Sequence, residues 1–386
     1  MSAGRIEADW LDGADARAVT AALEGAGHQA LFVGGCVRNT LLGAPVTDLD
    51  LSTDARPARV IEVAEAAGLK AVPTGFEHGT VTLVHRHHPV EVTTFRADVE
   101  THGRHATVRF SDDVLEDARR RDFTMNALYC DSRGTIVDPL GALPDLRARR
   151  LRFVGDARAR VHEDYLRILR FFRFHAWYAD PEGGFDPEGL AACAEGAEGL
   201  RRISAERIGG EVKRLLAAPE PAPALAAMAQ AGILAVVLPG ADAMAAARMT
   251  HLEAAPDALA RLAALGGEGV AERLRLSKAE ARRVARLRAA AMGEAGPAEL
   301  GWRLGAPDAR AALTIRAALA GQPLPPGTEA AIAAGARAEF PVKPADLMPA
   351  YRGPALGARL AQLERAWIDS GMTAGKAELL ALPDAG

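Results

Sequence analysis

Apolar positions in the first part of the chain recur with changing period, and each change predicts a change of element. Residues 1 to 29 carry helical spacing, with Val19, Ala22 and Leu23 on one side. The apolar run at residues 30 to 33 predicts a buried strand. It breaks at Gly34-Gly35 into a helix, spaced by Val37, Leu41 and Leu42, that Gly43 and Pro45 stop. Thr47-Asp48-Leu49-Asp50-Leu51 alternates polar and apolar as a half-buried strand does. Arg56-Pro57 opens another helix, residues 58 to 67, closed by Gly68. Two strands follow, residues 80 to 84 and 90 to 95, joined through His85-Arg86-His87-His88-Pro89. The histidines there predict a hairpin and not a zinc site, because neighbours across a turn point in different directions. Residues 97 to 113 are polar and read as a mobile loop. From about Ala148 onward alternation is rare and Leu-, Ala- and Arg-rich helical spacing takes over, so an α+β head gives way there to an all-α remainder.

The strand, glycine turn and helix around Gly34-Gly35 carry the first chemistry. Paired glycines at a helix start admit a ligand close to the backbone, and the free N–H groups and helix dipole favour phosphate. Arg38, near the start of the same helix, adds a fork of donors suited to phosphate oxygens. Alternation places Asp48 and Asp50 on one face of the next strand, with Cα atoms roughly 6 to 7 Å apart. Two adjacent carboxylates repel unless a cation lies between them, and Mg²⁺ is suited to bridging carboxylates and substrate phosphates. In Val90-Glu91-Val92-Thr93-Thr94 the same alternation sends Glu91 and Thr93 to one face, bringing a third carboxylate to that sheet. Phosphate turn and carboxylate clamp in this order point to nucleotidyl transfer.

At 386 residues the chain exceeds one ordinary core, and 49% hydrophobic with 25% charged residues is the balance of a globular protein. The formal net charge of −4 advertises no global affinity for nucleic acid, so contact with RNA must come from a local patch. One candidate is the run holding Arg147, Arg149, Arg150, Arg152, Arg158, Arg160, Arg167, Arg170 and Arg173 against Asp156, Glu163 and Asp164. Three cysteines, Cys36, Cys130 and Cys193, form no metal-binding spacing and argue against a disulfide framework. The opening MSAGRIEADWLDG lacks the apolar core of a signal peptide, and residues 221 to 241 are interrupted by Pro223, Gln230, Gly232 and Pro239-Gly240. A cytoplasmic protein with no membrane span and no obligate protein partner is expected.

Three further blocks make the pattern specific: Arg120-Arg121-Asp122-Phe123-Thr124-Met125-Asn126-Ala127, then Glu163-Asp164-Tyr165-Leu166-Arg167-Ile168-Leu169-Arg170-Phe171-Phe172-Arg173, then Ile203-Ser204-Ala205-Glu206-Arg207-Ile208. With GGCVR and D-L-D upstream, the chain resembles the class II, bacterial-type tRNA nucleotidyltransferases (CCA-adding enzymes) and their poly(A) polymerase relatives. The resemblance implies a polymerase-β-like nucleotidyltransferase head over residues 1–148. It implies a helical neck with a base-reading helix over 149–220, and a tRNA-binding helical body and tail over 221–386. By that resemblance Asp48 and Asp50 hold two Mg²⁺ ions and Glu91 completes the carboxylate set. Gly34, Gly35 and Arg38 meet the triphosphate, Arg121 and Asp122 hold ribose and phosphates, Asp164 and Arg167 read the base, and Arg170 and Arg173 support the triphosphate. The implied reaction adds C, C and A to tRNA from CTP and ATP.

The base-reading role also has a chemical rationale. Residues three apart on a helix share a face. A carboxylate accepts from an amino group while a guanidinium donates to a ring acceptor, which suits cytosine and adenine and mismatches uracil and guanine. Arg173 lies well round the helix from Arg167, so its role rests on resemblance alone. The chain departs from the family pattern at Asn39, where aspartate is usual, and at Leu140-Gly141-Ala142, where an aromatic precedes Gly-Gly. With no His-Asp phosphohydrolase signature, no added phosphatase activity is expected. A-adding or poly(A) synthesis stays open as the neighbouring reading, although the ending Leu382-Pro383-Asp384-Ala385-Gly386 carries no strongly basic extension. A non-catalytic RNA-binding protein with a vestigial head has no use for three converging carboxylates.

Overall fold

The computed structural model describes residues 4–98 and 108–384, and the chain divides into two compact units, Met1–Ser204 with Gln230–Val236 and Ala205–Ala229 with Val237–Gly386. The first unit opens with α1 (Asp9–Asp12) and α2 (Ala14–Gly25), so the single expected N-terminal helix is split at Gly13. Then come β1 (Leu31–Val33), α3 (Gly35–Leu42), β2 (Asp50–Thr53), α4 (Pro57–Ala66), β3 (Lys70–Gly75), β4 (Thr80–His85) and β5 (His88–Thr94). Short β6 (Arg96–Asp98) and β7 (Val108–Phe110) pair with each other, so both flanks of the expected mobile loop are ladder. Residues 99–107 of that loop lie outside the described residues. After α5 (Val114–Arg119) come β8 (Tyr129–Cys130), β9 (Ile136–Val137), α6 (Leu143–Arg147), α7 (Ala157–Glu163) and α8 (Leu166–Tyr178).

Seven strands form one sheet in the order β3-β4-β5-β2-β1-β8-β9, and β2 runs parallel to β5 while the other pairs are antiparallel. Register decides which side chains share a face. Val81 lies opposite Val92, Leu83 opposite Val90 and Leu51 opposite Val92, and all are buried with Val19, Leu23, Val60 and Ala64 of the covering helices. The alternate residues Asp50, Ser52, Glu91 and Thr93 therefore stand on the other face. The β4–β5 hairpin turns through Arg86 and His87, both with positive φ, and flanking His85 and His88 each contact the Asp15 carboxylate.

The expected boundary at 148 falls inside the first unit, and aromatic packing explains why. Phe123 and Phe153, from the segment before α7, lie 4.9 Å apart, and α8 packs Phe174 and Phe171 at 5.2 and 6.2 Å from Phe123. Rings of this size bury enough apolar area to hold the helix against the sheet-bearing part.

The second unit opens its described helices at Ala205–Leu216, beginning inside the ISAERI block. Fully buried Arg261 donates to the carbonyls of Leu216, the last residue of that helix, and of Ala218 just past it, and pairs with Glu253. Toward the C-terminus Trp367 packs with Trp302 and Phe340 over Leu363 and Leu347. Residues 221 to 241 hold the short helices Ala222–Gln230 and Ile233–Val237, and no helix among the described residues is long and apolar enough to cross a membrane.

Candidate active site

The glycine turn forms as expected. Gly34 precedes α3 with φ 70° and ψ −117°, a conformation that side-chain-bearing residues rarely adopt, and a Cβ placed there would lie 3.6 Å from Arg121 Nη1. Across the sheet, Asp50 and Glu91 are direct partners in the parallel β2–β5 pair, so both carboxylates point to the open face. Burial raises the Asp50 carboxyl above its ordinary value, Glu91 and Asp48 raise it further, and Arg121 opposes them.

The Asp48 placement differs from the expectation. Regular pairing starts only at Asp50, because β1 ends at Val33 and the chain turns away at Gly34, leaving nothing on that side to pair with residues before Asp50. Asp48 is exposed and accepts from the Thr47 hydroxyl at 2.8 Å. Among the described residues no three His, Cys, Asp or Glu side chains gather closely enough to hold a metal by themselves. The hard oxygens of Asp50 and Glu91, with Asp48 close enough to act on Asp50, nevertheless fit a magnesium site, since that ion is commonly held by one or two carboxylates plus substrate phosphates.

Behind the carboxylates stands Arg121. Its guanidinium donates to Asp117 at 2.9 Å, to the Tyr129 hydroxyl at 3.0 Å and to Ser52 Oγ at 3.3 Å. Tyr129 in turn donates to Asp117 at 2.8 Å. Burial lowers the Arg121 pKa, but Tyr129 and Asp117 outweigh it and the net shift is upward. Arg121 is thus a fixed cation on the face that carries Asp50 and Ser52.

A second network surrounds Arg38, which is buried and turned inward. Its Nε and Nη2 donate to Asn39 Oδ1, Nη1 to Asn126 Oδ1 at 2.6 Å, and Nη2 to the Tyr178 hydroxyl at 2.9 Å, whose ring it overlies at 3.9 Å. Side-chain acceptors thus hold the Arg38 fork in this structure. Asn39 gains a role: its Nδ2 donates to the Pro45 carbonyl at 2.7 Å, which an aspartate could not do. Asp122 Oδ1 accepts from Asn126 Nδ2 and the Phe123 N–H, both at 2.9 Å, while Oδ2 accepts from Arg170 Nε at 2.7 Å. Burial raises the Asp122 carboxyl, yet Arg170 and the amide donors more than offset this and hold it below the ordinary range.

The expectation that Asp164 and Arg167 share a helical face fails. Asp164 is extended (φ −151°, ψ 104°) in the break between α7 and α8, and its Oδ1 accepts from the Leu166 N–H at 3.1 Å. Such side-chain capping competes with helix continuation, which is why one periodic run becomes two helices. Arg167, in the first turn of α8, uses Nη1 on the Arg160 carbonyl and Glu163. Its Nε and Nη2 have no protein partner among the described residues. Arg173 lies over the Phe174 ring at 4.3 Å. A cleft of about 800 Å³ nearby is lined by Arg109, Arg119, Arg120, Arg152, Arg160 and Glu163, and by none of Asp48, Asp50 or Glu91.

Residues 30–152 match the family described as Poly A polymerase head domain, and residues 184–244 match a probable RNA and SrmB-binding site of polymerase A. The solved Bacillus stearothermophilus CCA-adding enzyme in complex with CTP superposes with a TM-score of 0.76 at 30% identity, covering 92% of each chain. The chain belongs to the class II tRNA nucleotidyltransferase and poly(A) polymerase family. Within that nucleotidyltransferase family, the human mitochondrial CCA tRNA nucleotidyltransferase 1 is 44% identical over 190 residues, 49% of this chain and 44% of that protein. The CCA-adding enzyme of Geobacillus stearothermophilus is 42% identical over 218 residues, 55% of this chain and 52% of that enzyme. The matched segments thus span about half the length of these curated relatives. The Thermotoga maritima CCA-adding enzyme complexed with tRNA shares the fold at 18% identity and a TM-score of 0.70.

Sequence reasoning overlooked Asp117 and Tyr129 as the partners of Arg121, and Asn126 and Tyr178 as partners of Arg38. For Tyr178 a signal existed, since it continues the four-residue period of Arg170 and Phe174 along α8.

Proposed function

We propose that this protein adds C, C and A to the 3′ end of tRNA without a template, using CTP and ATP and releasing pyrophosphate. The observation that carries the reading is the Asp50–Glu91 pair on the open sheet face, beside the Gly34 turn and the fixed Arg121 cation. The likeness over nearly the whole chain to a CTP-bound CCA-adding enzyme supports it.

In this reading the RNA 3′ hydroxyl attacks the α-phosphate in line, a P–O bond forms to that oxygen, the bond to the pyrophosphate oxygen breaks, and the hydroxyl proton passes to water. The Gly34-Gly35 turn with its helix start receives the phosphates, and Arg121 supplies positive charge beside that turn. Two Mg²⁺ ions, held by Asp48, Asp50 and Glu91, would offset the negative charge developing on the attacking and leaving oxygens. Asp122, fixed by Arg170, and Arg173 line the nucleotide site from the segment before β8 and from α8. Asp164, at the mouth of α8, accepts from a base amino group, and the uncommitted Nε and Nη2 of Arg167 donate to the neighbouring ring acceptor. CTP and ATP satisfy both groups, whereas UTP and GTP oppose both, at roughly 1–3 kcal/mol per unsatisfied buried group. Residues 149–220 act as the neck and 221–386 as the tRNA-binding body and tail, in the cytoplasm where tRNA and both nucleotides are at hand.

The match to a poly(A) polymerase head supports a second reading, addition of A alone. Purified protein is incubated with tRNAs ending before, within and one short of CCA, each nucleotide supplied singly and together. Stepwise extension by C, C and A supports the proposal. Addition of A only, or of long A tracts, overturns it in favour of the second reading.

A further inference from the structure

We propose that Asn126 is a positioning residue for nucleotide transfer, its side-chain amide setting the spacing between Arg38 on α3 and Asp122, and through Asp122 that of Arg170 on α8. The inference rests on the nucleotidyl-transfer reading and adds a residue which that reading does not use. Asn126 is buried, at 7% exposure. Its Oδ1 accepts from Arg38 Nη1 at 2.6 Å, its Nδ2 donates to Asp122 Oδ1 at 2.9 Å, and its backbone carbonyl accepts from Arg121 Nη1 at 3.5 Å. One residue thus touches three side chains expected to hold nucleotide.

The chemistry of the two ends dictates an amide. A guanidinium has only donors and an ionised carboxylate only acceptors, so the bridging group must accept at one end and donate at the other. At this length asparagine alone does both. Aspartate would set an acceptor against Asp122, and an apolar residue would leave Arg38 Nη1 without its acceptor and take one of two donors from Asp122 Oδ1. The other side-chain hydrogen-bond partners of Arg38 are the Asn39 amide and the Tyr178 hydroxyl, so among the described residues no carboxylate holds the guanidinium in place of the amide. Without the bridge, Arg38 and Asp122 attract one another, and closing the gap draws one of them off its remaining contacts.

The test compares wild type, Asn126→Asp and Asn126→Ala in single-turnover CTP and ATP incorporation into tRNA, from about pH 8.5 to about pH 6, with each rate expressed relative to wild type. The charged groups facing position 126 are Arg38 from α3, Asp122 and Arg121 from its own segment, and Arg170 from α8 behind Asp122. At the alkaline end N126D places two carboxylates together, and the apparent affinity for nucleotide falls roughly tenfold or more. As pH drops the pair takes up a proton, the O–H replaces the lost amide donor, and the N126D ratio recovers at least about threefold. N126A stays low and flat. An N126D ratio that is flat with pH, or variants that match wild type, overturns the proposal. If N126A does not fold, as a melting curve shows, the pH course of the near-isosteric N126D decides alone. Wild type that incorporates no nucleotide overturns the functional reading instead.

Discussion

Replacing Asp117 by asparagine removes one charge and almost no volume from a site only 1% exposed. The carboxylate accepts from Arg121 Nη2 at 2.9 Å and Nε at 3.3 Å, from the Tyr129 hydroxyl at 2.8 Å, and from the Arg96 N–H at 3.3 Å. Both oxygens are therefore acceptors, and an amide must turn a donor toward one set of donors. Removing one partner of a buried ion pair costs about 3–5 kcal/mol. The Arg121 side chain keeps 20% exposure and one acceptor survives, so the lower end, about 3 kcal/mol, applies. For a unit of this size that lowers Tm by roughly 6–12 °C.

The sign with pH follows from the depressed Asp117 pKa: burial raises it, but Arg121, Tyr129 and Arg120 outweigh burial. Its contribution is present above the unfolded value of about 3.9 and is lost as pH falls through the folded value. Circular-dichroism melts of both proteins should show a constant gap from about pH 8 to about pH 5 that narrows below about pH 4. A gap under about 2 °C at neutral pH, or one that widens in acid, would refute the account of Arg121 as a cation held by Asp117.

Other outcomes are expected. Asp50→Asn should remove nucleotide incorporation while shifting Tm little or upward, because it relieves the repulsion from Glu91; incorporation near the wild-type rate would sink the carboxylate assignment. Arg167→Ala should weaken discrimination against UTP and GTP by about tenfold, read in single-turnover competition, and unchanged selectivity would exclude the guanidinium from base reading. Affinity for tRNA, measured by filter binding, should fall steeply as salt rises, with a log–log slope that becomes shallower in an Arg119→Ala, Arg152→Ala double variant. A slope unchanged by that variant would remove the arginine-lined cleft from the RNA path.

Local pattern determined much of this protein without coordinates. Alternation in Val90-Glu91-Val92 decided which side chains meet the core, and Val90 and Val92 are buried while Glu91 is exposed. The Gly34-Gly35 break likewise announced the turn and the helix after it, because backbone conformation there depends on the missing Cβ. Only tertiary structure decided what pairing and packing control. Asp48 falls off the strand because β1 ends too soon to pair with it. Asp164 leaves the helix because its own side chain caps the next one, which no 3.6-residue period can reveal. Arg38 turns inward because Asn39, Asn126 and Tyr178, the last of them 140 residues away, together form its acceptor cage. Periodicity reports which face of an element is apolar, and it is silent on which distant side chain will satisfy a buried charge.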